Sequence, residues 1–424
     1  MPKQKIVVVQ VAALSWELLQ RYGLQLPGLS FQPTASIFPA LTCPVQATMR
    51  TATLPDAHGM LSNGVFDPRL RKVLFWEQSA AQIEGPRIWD GLRAQGGSAG
   101  MFFWQQSLGE SVDWLLSPAP IHRHHGGMIQ DCAGRPESLY PRLQKALKRP
   151  FNLMRYWGPL ASAASSQWIA EAVANLMACP AAPNLLMTYL PALDYDLQRY
   201  GPSDPRCAKA WRQTVAQLSL LVEAAAQHGY EVLVYGDYAI ADCPGGPVYP
   251  NRILREAGLL SVRPIKQMAY LDLYHTPAFA MVDHEIAHIY TTSPAHHLAA
   301  RAALEAAPGI AEVRESATGS NGGDLVAVAA EGQWFSYRWW NERREAPDYA
   351  SHVDIHNKPG FDPCELFFGW PPGSVSQNDH RVGGTHGRIG PGRDVAWAST
   401  ILEGRPESLL DLSRDLKHWL ETTP

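Results

Sequence analysis

The sequence predicts an α/β fold: a doubly wound, mostly parallel sheet carrying an inserted α+β cap. Three observations predict it. Lys5 to Ala12, Asn184 to Leu190 and Glu231 to Tyr235 are continuous apolar runs of strand length, as in strands covered on both faces. Stretches with helical spacing stand between them, at Ser166 to Met177 and Ala210 to His228. Residues able to do chemistry fall just past the carboxyl ends of the runs, where a doubly wound sheet collects its ligands.

A chain of 424 residues exceeds what one small core needs, and suits a large α/β domain with an insertion. We place the first part of the core at 1–257, the cap at 258–350 and the closing part of the core at 351–424. Hydrophobic residues make up 46% and charged residues 18%, so a core is affordable and disorder is not indicated. A net charge of -4 and a pI near 6.4 leave no basic footprint for nucleic acid or anionic membrane. The expected partner is a small molecule. The apolar run Ile6 to Val9 is too short to span a membrane, and no small-residue cleavage site precedes the helical pattern Ser15 to Tyr22. The expectation is a cytoplasmic protein. Six cysteines without C-x-x-C spacing suggest neither a zinc knuckle nor a disulfide framework, and Cys43 is the one to watch for reactivity.

In chain order, the first candidate is Gln10, a polar residue at the end of the first strand. Thr42 follows, two residues ahead of Pro44, and proline is best tolerated in the first turn of a helix. A hydroxyl there meets free backbone N–H groups and the positive end of the helix dipole, which favour an alkoxide and a phosphate oxygen. The plainer reading is that Thr42 or Cys43 caps the helix. Asn63-Gly64 is a turn signal before the strand-like Val73 to Trp76, and Ser98 to Trp104 is a further strand. His122, His124 and His125 surround Arg123, residue types suited to a phosphate or a metal and equally to a solvated loop. Leu143 to Met154 has helical spacing. The exit from the second buried strand, Pro191 to Pro202, holds Asp194, Asp196 and Gln198 in what reads as a loop. The exit from the third holds Asp237 and Tyr238.

Past Gly258, Ala278 to Tyr290 and Leu325 to Tyr337 alternate like half-exposed strands, with a helix at Ala299 to Ala307 between them. Trp334, Phe335, Tyr337, Trp339 and Trp340 suit cap packing better than a wall over a ligand. Asp283, His284 and His288 have metal-like chemistry, although half of the residues on a strand face away from any one site. Asp354 and His356 share a face if their segment is extended. His386 lies between glycines that permit close backbone approach, and Asp394 to Leu402 and Ser408 to Leu420 read as closing helices.

Thr42-Cys43-Pro44, the run Leu54-Pro55-Asp56-Ala57-His58-Gly59, Asn63, Asp194 through Gly201-Pro202, Gly236-Asp237 and Gly384-Thr385-His386-Gly387 together resemble the type I phosphodiesterase and nucleotide pyrophosphatase family of the alkaline phosphatase superfamily. The order is right over nearly the whole chain. The resemblance implies an alkaline phosphatase-like core and a metal-dependent hydrolase of phosphodiester, pyrophosphate or related ester bonds. It makes Thr42 the nucleophile, passing through a phospho-threonine, and Asp194, Asp237 and His386 ligands of a zinc pair about 4 Å apart. Asn63, at the end of the resembling run, and Arg123 with His124, by their residue types, are the candidate substrate-binding groups. The departures fall on that site. Gln10 stands for an Asp, Gln198 and Tyr238 for two His, Cys43 for a Phe, Val45 for an Asn and Ala52 for a Gly. Neutral amides are poor zinc ligands. Asp354, His356 or the histidine loop could rebuild the site, or Gln10 and Tyr238 could offer oxygen to a single harder ion. The competing expectation is a non-catalytic binding or scaffold protein on the same fold.

Overall fold

In the computed structural model, which describes residues 4–125, 127–316 and 322–422, eight strands form one sheet. Their order is Gln32–Thr34, Val395–Ser399, Tyr230–Gly236, Lys5–Val11, Leu185–Leu190, Ala99–Phe102, Trp114–Pro118 and Cys132–Arg135. The four pairings from Tyr230–Gly236 across to Trp114–Pro118 are parallel, and the pairings at both edges are antiparallel. The first strand is the switch point, flanked by strands from two later β–α units. The register sets Gln10 opposite Tyr189 on one side and Tyr235 on the other. Helices Ala163–Met177 and Cys207–His228 pack on each other and on the sheet. The short helix Thr42–Thr51 leans on the last helix, Leu409–Thr422, where the Ser413 hydroxyl donates to the Thr48 and Met49 carbonyls.

A second core lies over an antiparallel sheet ordered Ala278–Asp283, Ile286–Thr291, Leu325–Ala329, Ile310–Glu315. Its helix, Pro294–Glu305, is capped by the Ser293 side chain. Phe66, Val73 and Phe75, from the hairpin Gly64–Asp67 with Lys72–Phe75, join this core. Trp334, Phe335, Tyr337, Trp339 and Trp340 are all buried, as packing residues. No helix among the described residues is long and apolar enough to cross a membrane.

Several local expectations are corrected. Val395–Ser399, read as helix, is a strand buried between two others, because a short apolar run carries no period to separate the two states. Ala278 to Tyr290 is a hairpin rather than one strand, turning where His284 takes φ 59°. Leu325 to Tyr337 divides into Leu325–Ala329 and Gln333–Phe335, the latter pairing with Gly246–Val248. The helix expected over Leu143 to Met154 runs instead over Leu139–Leu147 and stops at Lys148 in a left-handed conformation, ahead of Pro150. Gly64 opens a strand rather than a turn. The exit after Leu190 is itself a helix, Ala192–Tyr200.

That helix seats the His386 loop. The Gly383 N–H donates to the Gln198 carbonyl at 2.9 Å. A Cβ on Gly383 would lie 2.3 Å from the Tyr200 carbonyl carbon, and one on Gly384 would lie 2.4 Å from the Leu197 oxygen. Backbone approach this close admits only glycine. Gly383→Ala is therefore expected to lower stability by about 2–4 kcal/mol, read by urea unfolding.

Candidate active site

Thr42 is the first residue of its helix, behind Leu41, which makes no side-chain cap. Its hydroxyl is thus not consumed in capping. It neighbours the hydroxyls of Tyr189 and Tyr238. The helix end is less open than its sequence suggests, because Pro44 has no N–H and the Cys43 N–H donates to Asn63 Oδ1 at 3.0 Å. Asn63 is in turn held by Asp283, which accepts from its backbone N–H at 2.8 Å and its Nδ2 at 3.1 Å. Asn63 therefore positions the Thr42 helix and is spent before it could reach a substrate. Cys43 is wholly buried and burial pushes its thiol up, so the reactivity expected of it is absent.

Behind Thr42, two buried carboxylates meet side-chain donors. Asp237 Oδ1 accepts from the Ala13 and Tyr238 N–H groups, each at 3.0 Å, and Oδ2 accepts from Gln10 Nε2 at 2.8 Å. Asp194 accepts from the Tyr238 hydroxyl at 3.0 Å and from Gln198 Nε2 at 2.6 Å. Hydrogen bonds to a charged group are worth about 1.5–3 kcal/mol each, so these donors offset much of the cost of burying the pair. Burial pushes the Asp194 carboxyl up to about 6, opposed by the charge of His284 and the Tyr238 and Gln198 bonds. It pushes Asp237 up to about 7, opposed by the Ala13 N–H and Gln10.

The His386 Nδ1–H donates to the Ala40 carbonyl, 2.8 Å away, and burial holds its imidazole well below the usual range. Its ring stacks on Tyr238 at 3.5 Å with the planes 2° apart, and meets His284 at 3.8 Å on the way to Phe361, 3.7 Å beyond. His284 Nδ1 lies 2.7 Å from Asp283 Oδ1, whereas its Nε2 is buried with no protein partner. Gln198 Oε1 is likewise buried and unpartnered.

These groups floor a cavity of about 470 Å³. Thr42, Asp194, Gln198, Tyr238, His284 and His386 line it at one end, and Trp76, Phe103, Tyr156, Trp157, Tyr195 and Phe361 form its walls. Among the described residues no Lys or Arg lines it.

The structure thus brings together Thr42, Gln10, Asp194, Gln198, Asp237, Tyr238 and His386, and leaves others aside. Arg123 and His124 are exposed and do not line the cavity; of the three histidines there, His122 does, along with Pro118, Pro120 and Gly127. Asp354 and His356 line the cavity but sit on a turn, not an extended strand, so alternation does not align them. Both Asp354 oxygens accept from Asn357, and His356 Nδ1 bonds the Phe75 carbonyl. Neither completes a ligand set. Among the described residues no group of three or more His, Cys, Asp or Glu is placed to hold an ion. The donor set does not fit the zinc pair that the resemblance implies. Sequence reasoning noted His284 only as a metal-like residue on a strand and did not place it in the cavity, into which its left-handed backbone turns it, and it gave no role to Tyr189 or these aromatic walls.

A hydroxyl at a helix start thus stands beyond the carboxyl end of a mostly parallel sheet. The sequence model of the type I phosphodiesterase / nucleotide pyrophosphatase family matches residues 6–362, and the chain belongs to that family of hydrolases. Among solved structures, murine ectonucleotide pyrophosphatase/phosphodiesterase 5 is similar at 16% identity and TM-score 0.61, over 99% of this chain and 96% of its own. An inactive Thr-to-Ala form of that protein in complex with AMP gives 16% and 0.62 over the same shares. Phosphonoacetate hydrolase from Sinorhizobium meliloti 1021, in complex with phosphonoformate, gives 15% and 0.61, again over 99% and 96%. The search of curated proteins found no match.

Two outcomes follow from the site. Tyr238→Phe keeps the ring stack and removes one of the donors on Asp194, and is expected to lose about 1–3 kcal/mol in urea unfolding. His58 lies beneath the Thr42 helix, with Nε2 3.0 Å from the Thr48 hydroxyl and Nδ1 accepting the Met60 N–H. Burial, then the charge of Arg50, holds its imidazole down to about 3. A folded value below the unfolded one gives stability that is complete above about pH 6.5 and lost toward pH 3. Comparison of wild type with His58→Asn over that window should show about 2–4 kcal/mol more acid loss in the wild type.

Proposed function

We propose that this pocket takes a small phosphate ester with an apolar or aromatic body and cleaves it at phosphorus through Thr42. The observation that carries the reading is the Thr42 hydroxyl, uncapped at a helix start, at the floor of an aromatic cavity in a chain of a hydrolase family. The walls suit the body of the ester by stacking and apolar burial. With two carboxylates behind the floor and no Lys or Arg on the lining, a monoanionic diester suits the cavity better than a dianionic monoester. His284 Nε2 is the polar atom left to meet an oxygen of the ester's head, whereas Gln198 Oε1, which only accepts, suits a hydroxyl or N–H on the ester's body. As the Thr42 oxygen bonds to phosphorus, the ester P–O bond breaks and the alcohol leaves. The threonine proton has a path through the Tyr238 hydroxyl to Asp194. Water then attacks the phosphorus held on Thr42, the Thr42 O–P bond breaks, the remaining phosphate monoester leaves and Thr42 regains its proton.

A second reading, binding without cleavage, is favoured by the side-chain donors that already satisfy both carboxylates. Thr42→Ala separates the two. With a chromogenic aryl phosphodiester, turnover by the wild type should fall by about 100-fold or more in the variant, with ligand-induced thermal shifts kept. Equal rates in wild type and variant, with the same shifts, would leave binding alone.

A further inference from the structure

We infer that the pocket is built to work without a divalent cation: Gln10, Gln198 and Tyr238 hold by hydrogen bonding the carboxylates that the resemblance assigns to two ions. The inference goes beyond the proposed function and stands whether or not the ligand is cleaved.

Three features carry it. Gln10 is locked in the orientation that excludes a metal. The Tyr235 hydroxyl donates to its Oε1 at 2.9 Å, so the amide must turn its Nε2 toward Asp237. Turning the carbonyl inward to ligate an ion would strip a donor from Asp237 and set the Gln10 oxygen against its carboxylate. Asp237 already accepts three N–H groups, is fully buried and does not line the cavity.

Asp194 is engaged on both oxygens, by Tyr238 and by Gln198. Tyr238 does more than donate, because its ring lies flat on His386 at 3.5 Å. His284 covers His386 at 3.8 Å. An ion bound by Asp194 and His386 would have to displace this packed ring and both donors at once. The Gln198 Oε1 is free, but a lone neutral amide is a weak partner for zinc.

The groups that could rebuild the site are not gathered on one centre. Asp354 is held by Asn357 and Glu285 by Arg393 at 2.8 Å, and although His122, His284 and His356 line the cavity, no group of three or more ligand-type residues converges among the described residues. The three substitutions therefore act as one unit, a set of donors where a ligand set would need acceptors.

The test is metal binding, read apart from turnover. Protein purified without chelator is analysed for metal, then titrated with zinc, manganese and magnesium while its melting temperature is followed. The expected result is substoichiometric metal, and a melting temperature that moves by less than about 1 °C with each ion or with chelator. Stoichiometric metal, or a clear ion-dependent rise, overturns the inference. The combined variant Gln10→Asp, Gln198→His and Tyr238→His should gain stoichiometric zinc and a zinc-dependent rise in melting temperature. If that variant fails to fold, the wild-type titration decides alone. Metal-free turnover supports both proposals; metal-free protein with no turnover supports this inference and ends the hydrolytic one.

Discussion

Everything at the carboxyl end of the sheet answers to one constraint, that a carboxylate cut off from water must have its lone pairs met. Asp237 is fully buried at the end of the Tyr230–Gly236 strand, and Asp194 is nearly so at the start of its helix. A buried charge left unpaired costs several kcal/mol, more than a marginally stable fold can absorb twice. Two metal ions would meet the need in one way and amide and phenol donors meet it in another. The chain takes the second. Once Gln10 turns its nitrogen to Asp237, Tyr235 must supply the donor on its other end, and the phenol of Tyr238 must reach Asp194. The three polar substitutions are coupled by this arithmetic of donors and acceptors.

The same constraint shapes what the cavity can hold. Cations would make its floor attractive to a phosphate dianion, whereas carboxylates capped by neutral donors leave it close to neutral at best. The aromatic walls then contribute most of the contact with a ligand, and Thr42 and His284 are left to orient its polar end. Family membership fixes the class of chemistry, and the lining narrows the kind of ester.

The central sheet was legible because its buried strands are nearly continuous apolar runs, and its exits because Asp194 and Asp237 stand just past two of them, whereas His386 follows the two-residue strand Gly384–Thr385 of a separate small sheet. Thr42 was legible through Pro44. What the sequence hid has physical reasons. Val395–Ser399 is too short to show a period, so its strand state follows only from the two neighbours it pairs with. His284 enters the site through a left-handed turn between two strands, a backbone choice that no local residue pattern announces. Asn63 has the right residue type for a substrate contact, yet Asp283, which comes 220 positions later, claims it. Asp354 and His356 alternate in sequence, and a turn removes the meaning of that alternation.

The four stacked rings also join two bodies of the molecule. Tyr238 and His386 come from segments seated at the end of the large sheet, while His284 and Phe361 belong to the hairpin and crossing segment of the second core. The contact that crosses between the cores is His386 against His284, rings 3.8 Å apart and tilted by 39°. Beside it the Glu285 N–H donates to the His386 carbonyl, and the Glu285 carboxylate holds the Arg388 N–H and Arg393. A seam fastened on both sides of the ring contact keeps the two halves in one register, so the chamber takes its shape from the fold rather than from its contents.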